Sequence, residues 1–166
     1  MNNIIINIIN ELGKTISKEM IVFIISLMPI LELRGGLIAA SILNIPYLKA
    51  AIICILGNIL PIPFILLFLN KIFDLMEKWG PTKKLVKFFR DRAHKNKAKI
   101  DKYGFWGLVL FVGIPLPGTG AWTGALVSSV FGMDERKSAL AIFIGILLAF
   151  VIMSIVSYGI IGNIIR

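Results

Sequence analysis

MIVFIISLMPILELRGGLIAASILNI, residues Met20–Ile45, is a run of 26 apolar-dominated residues with Glu32 and Arg34 near its middle. Two glycines, Gly35 and Gly36, follow directly. An acid and a base at bilayer depth each cost about 2.5–3.5 kcal/mol on insertion scales. Adjacent glycines weaken a helix at the same point. Charges on interrupted backbone inside a bilayer mark a pathway or a substrate site. The stretch therefore reads as two limbs, Met20–Leu31 and Leu37–Ile45. As helices they are about 18 and 13 Å long, and neither crosses about 30 Å of hydrocarbon alone.

The rest of the chain agrees with a membrane setting. It has 166 residues, 57% of them hydrophobic, and its mean hydropathy is +0.87. The excess apolar content lies in long blocks rather than in alternation, which indicates an all-α integral membrane protein with a single membrane domain, 1–166. Residues 71–102 hold eleven Lys and Arg against four Asp and Glu, so +7 of the net +9 sits there. A basic loop, 74–102, between apolar blocks reads as cytoplasmic, with anionic lipid headgroups as its partner. It carries no interleaved stacking aromatics, which argues against nucleic acid. Cys54, the single cysteine, reads as a buried apolar side chain, and His94 as part of a solvated basic face. Residues 1–18 lack a basic n-region and a small-residue cleavage site, and read as an interfacial amphipathic helix rather than a signal peptide.

Three more apolar blocks follow: Tyr47–Phe73, Tyr103–Phe131 and Ser138–Ile165. The first and last of these are long enough to span. The middle one is broken at Pro115-Leu116-Pro117-Gly118-Thr119-Gly120, where two prolines and two glycines cannot continue a helix. Irregular backbone at membrane depth is tolerated inside protein or beside water. This gives two re-entrant helical hairpins, each followed by a span: units 19–73 and 103–166. The halves match at an offset of 86 positions, with Pro29 on Pro115, Gly35 and Ala39 on Ala121 and Ala125, and Ile45-Pro46 on Phe131-Gly132. Each unit crosses the membrane once in net, so the two form an inverted repeat. The alternative is four ordinary transmembrane helices, two of them kinked, and charge counting permits both.

Several residues carry candidate chemistry. Arg34 offers a planar fork suited to phosphate or carboxylate, and Glu32 a proton site. The two could pair with each other, or each could reach the other hairpin. The uncharged second tip, with Pro115, Pro117, Gly118, Thr119 and Gly120, leads into a helix start near Ala121, where free N–H groups favour an anion. Trp122 adds a wall. Gly120, Gly124 and Ser128 form a packing stripe. Pro61 and Pro63 leave the carbonyls of Gly57 and Ile59 unpaired, and Asn58 places an amide near a central cavity. No Walker loop, dinucleotide fingerprint, nucleophile–base set or metal-ligand cluster is present, so neither an enzyme nor a cofactor is expected.

At these residues, Pro29-x-x-Glu32-Leu33-Arg34-Gly35-Gly36 and Pro115-Leu116-Pro117-Gly118-Thr119-Gly120-Ala121-Trp122-Thr123-Gly124, the chain resembles the small multi-drug export protein family. That family is similar to the wider DedA/VTT superfamily of bacterial and organellar membrane proteins. The likeness runs from about Ser17 to Tyr158. It implies facing re-entrant hairpins and the movement of lipids or lipid-linked phosphates, sometimes with proton coupling, and it places the superfamily's acidic hairpin residue at Glu32. DedA proteins also carry arginines in the second hairpin, and this chain has none there. The expectation is a bacterial inner-membrane transporter or flippase, homodimeric, for an anionic lipid such as undecaprenyl phosphate. The rival readings are a proton-coupled small cation exporter and a non-transporting scaffold.

Overall fold

A computed structural model describes residues 5–6, 16–78, 87 and 97–161. Every regular element among them is helical. Most of the expected amphipathic helix 1–18, and His94 with most of the basic loop 74–102, lie outside the described residues, although Ile5 is fully buried in the core.

The first hairpin is α1 (Lys18–Leu27) and α2 (Glu32–Ile42). Ser17 caps α1 by accepting the Met20 N–H at 3.3 Å, as an N-cap serine does. Next come α3 (Tyr47–Ile59) and α4 (Pro61–Lys78). Proline at the first position of α4 loses no helical bond of its own, and Leu60, itself in the right-handed helical region, carries α3 directly into α4. The second hairpin is α5 (Lys97–Gly113) and α6 (Ala121–Val130), so α5 begins within the stretch expected as loop. Finally α7 (Glu135–Ser154) runs into a π-helix, Ile155–Ile161. Asp134 caps α7 through the Lys137 N–H at 3.0 Å. On length and composition, Tyr47–Phe68 and Glu135–Gly159 can each cross a bilayer. Leu48, Ile52, Leu56, Leu60, Phe64 and Phe68 recur every fourth residue along α3 and α4, and all are exposed. That stripe fits contact with lipid better than contact with water.

The structure corrects the position of the first break. The turn is Met28–Leu31, Glu32 opens α2 at φ +50, and Leu33-Arg34-Gly35-Gly36, glycines included, is helix rather than interrupted backbone. Two glycines cost a helix only about 1 kcal/mol each, and here both serve packing. A Cβ on Gly35 would meet Leu31 and Ile25, and one on Gly36 would collide with Ser26 and Cys54.

The two hairpins repeat one another more closely than the sequence match suggests, with a change of register. The first limbs end at Leu27 and Gly113, 86 positions apart. Beyond the tips the offset is 88. Ile45 N–H bonds the Ala40 carbonyl and Asn44 N–H that of Ser41; Met133 N–H bonds Ser128 and Gly132 N–H bonds Ser129. Both are Schellman ends, with Asn44 at φ +54 and Gly132 at φ +62. The glycine contacts follow the same rule. Gly36 approaches Ser26 and Cys54, whereas Gly124 approaches Val112 and Ile142. Gly57 lies on Ser26 and the Phe23 carbonyl, and Gly145 on Val112 and the Val109 carbonyl. First-limb partners thus shift by 86 and later ones by 88, because the second tip is longer. The Ile45-Pro46 turn accordingly falls two positions beyond Phe131-Gly132.

The core lies where the hairpins meet α7, with Ile21, Ile25, Leu33, Leu37, Ile142 and Ile146 essentially inaccessible. At its edge Lys49 Nζ bonds Glu19 at 2.7 Å and ties α3 to α1. That contact holds the Glu19 carboxyl below its usual range.

Candidate functional site

Breaking a helix leaves N–H groups bare at one end and carbonyls bare at the other. The second hairpin breaks at Ile114–Gly120, so α5 ends in free carbonyls and α6 starts with free N–H groups. Pro115 and Pro117 have no N–H with which to extend α5. The first hairpin supplies what both ends lack.

Glu32 is buried. Its Oε2 accepts the Ala121 N–H and its Oε1 the Trp122 N–H, both at 3.1 Å. The carboxylate therefore caps α6 from another hairpin, where the helix dipole favours negative charge. Arg34, one helical face away, covers the other end. Its Nη1 donates to the Leu116 carbonyl at 2.8 Å, and its Nη2 to Thr119 Oγ1 at 3.0 Å and the Ile114 carbonyl at 3.3 Å. The Val112 carbonyl lies at the 3.5 Å limit. A cation there complements the carbonyl end of α5. Among the described residues Glu32 and Arg34 form no ion pair with each other; each reaches across to the opposite tip.

The Thr119 hydroxyl ties the loop together. It accepts from Arg34 and from the Leu116 N–H at 3.2 Å, and its Oγ1 stands 2.9 Å from the Ile114 carbonyl and 2.8 Å from that of Leu116, either of which can take its proton. Gly120 has φ +143, and a Cβ on it would run into the Glu32 carboxylate. Glycine is required twice over at that position. Glu32 itself has φ +50, a left-handed conformation rare for residues with a side chain and found preferentially at functional sites.

The structure thus brings Glu32, Arg34, Pro115, Pro117, Thr119, Gly120 and Trp122 to one junction. Gly118, at φ +80, sits in the exposed turn and faces open space. Gly35 and Gly36 support α2 from behind. Asn58 is buried, but its Oδ1 has no partner among the described residues, and its side chain makes no bond to the junction. The indole Nε1 of Trp122 is likewise unpartnered. The helix-start donors that the sequence offers to an outside anion are taken by Glu32. The participants missing from the sequence reading are the carbonyls of Ile114 and Leu116, and no side-chain motif advertises these.

The family model described as "Putative small multi-drug export protein" matches residues 32–152, from Glu32 through the second tip and into α7. No curated protein and no solved structure matches the chain.

Proposed function

This chain belongs to the small multi-drug export protein family, and from that premise we propose that it carries an anionic lipid or lipid-linked phosphate, such as undecaprenyl phosphate, across a bacterial inner membrane. In this reading the hairpins are re-entrant and inversely related, the basic loop is cytoplasmic, and the junction of the tips is the gate.

One observation carries the proposal: the Glu32 carboxylate sits on the first N–H groups of α6 as a substrate anion would. A phosphate group fits the same donors. Protonating Glu32 weakens its hold on them and frees the helix start. Arg34 can then turn its fork from the Ile114 and Leu116 carbonyls to the phosphate. Parting the tips exposes the site, and the returning carboxylate expels the cargo. Proton binding and anion binding are coupled because both act on one set of donors.

The family description favours a second reading, in which Glu32 alternates between a proton and a cationic drug. Reconstitution separates the two. Vesicles holding the protein and a fluorescent polyprenyl phosphate should move the label between leaflets, and Glu32→Gln or Arg34→Lys should lower the rate at least about tenfold, the effect of losing one charge-assisted bond. Proton-driven ethidium export without lipid movement would replace the proposal with the cation reading. Absence of both activities from the wild type would leave a scaffold.

A further inference from the structure

An open apolar groove of about 310 Å³ lies on the second hairpin, away from the junction. Tyr103, Leu108 and Phe111 of α5 line it, with Val127 of α6 and Phe131 and Met133 from the turn that follows. Gly104 and Gly107 open its floor, and a Cβ on Gly107 would meet nothing within 4 Å. Neither Glu32 nor Arg34 takes part, so the groove stands apart from the gate.

We propose that this groove holds an acyl chain of an anionic glycerophospholipid from the surrounding bilayer. Its volume is at the lower end of small-ligand sites. The lining is aliphatic and aromatic, which suits a hydrocarbon chain. Tyr103 at the mouth is 59% exposed and Trp106 beside it 63%. Exposed Tyr and Trp of this kind gather at headgroup depth. Bases flank the same end. Lys102 Nζ stands 5.1 Å from the Tyr103 ring centre, and Arg136 and Lys137, both exposed, follow Met133 in the first turn of α7. Of the acids in that turn, Asp134 is engaged in capping the Lys137 N–H and Glu135 is itself engaged in a polar interaction. An anionic headgroup at Lys102 and Lys137 completes a site whose tail end is the groove.

Native mass spectrometry of the full chain in detergent tests the proposal, with phosphatidylglycerol and phosphatidylcholine supplied in equal amounts. The wild type should retain one phosphatidylglycerol in preference. Gly107→Leu, which grows into the groove, should lower retention about tenfold, the effect of excluding roughly two methylenes. Val127→Phe should act likewise from the other helix, so that a folding defect in one variant does not decide the matter. Lys102→Gln with Lys137→Gln should keep a lipid but lose the headgroup preference. Equal retention of both lipids by the wild type, wild-type retention by both occluded variants, or a second copy of this chain in place of lipid would overturn it.

Discussion

The carboxylate of Glu32 accepts the backbone N–H of Ala121 at 3.1 Å, across 89 positions of sequence. A residue at the start of one helix thereby caps the start of another in the opposite hairpin. With Arg34 on the carbonyl end of the same break, two charges of the first tip satisfy the broken backbone of the second. The peptide groups bared by the break are thereby bonded inside the protein.

Arg34→Lys keeps the charge and loses the fork. A lysine can serve one or two of the acceptors that Nη1 and Nη2 now share among Leu116, Ile114 and Thr119. Loss of about 1.5–3 kcal/mol is expected for each charge-assisted bond left unmade. Thr119→Val should cost less alone, and the double variant should cost less than the sum, because both remove the same bond. Thermal unfolding in detergent reads all three.

Gly120→Ala meets two obstacles, a left-handed φ of +143 and the Glu32 carboxylate in the space a Cβ would fill. The backbone strain alone is worth about 1–3 kcal/mol. The variant should be among the least stable single changes at the tips. If its melting temperature equals that of the wild type, the tips do not meet as described.

Gly36→Ala should be destabilising by about 1–3 kcal/mol through overpacking against Ser26. Adding Ser26→Gly should return part of that loss. The equivalent pair in the second hairpin is Gly124→Ala with Val112→Ala. The same rescue in both pairs, measured as a double-mutant cycle, is the energetic signature of an internal repeat.

Re-entrant hairpins place residue 166 on the opposite side of the membrane from the 79–96 segment, whereas four full spans place both on one side. A reporter fused after Arg166 should be active outside the cytoplasm and one inserted near Lys87 inside it. Cytoplasmic activity at both positions would replace the inverted repeat with four spans.

Both interruptions of the apolar blocks are legible in the sequence, since proline clusters and intramembrane charges are local signals. The position of the first is not. Glu32-Leu33-Arg34-Gly35-Gly36 reads as a break because glycine propensity is a weak prior, and tight packing on Leu31 and Ser26 outweighs it. The sequence matches the halves at 86 positions throughout, but the structure keeps that offset only in the first limbs: beyond the tips Gly35, Ala39 and Ile45 correspond to Thr123, Val127 and Met133, 88 positions on. The two extra residues of the second tip emerge only when the Schellman ends at Asn44 and Gly132 are compared. Glu32 and Arg34 stand out as functional, but apart from the Thr119 hydroxyl their partners are backbone groups about 80–90 positions away. A side-chain pattern does not specify peptide N–H and carbonyl groups, so the direction in which each charge points belongs to the tertiary structure alone.

The account stands on the Glu32 carboxylate competing with an anionic cargo for the N–H groups of Ala121 and Trp122. The most direct test is the binding of dodecyl phosphate to the purified wild type and to Glu32→Gln as the pH is lowered from 8. Wild-type affinity should rise as pH falls and the carboxylate is neutralised, more steeply than that of the variant. Glu32→Gln should bind more tightly at pH 8, where its donors are already released, while its transport is lost. Identical pH profiles for the two proteins, with weaker binding by the variant throughout, would contradict the account.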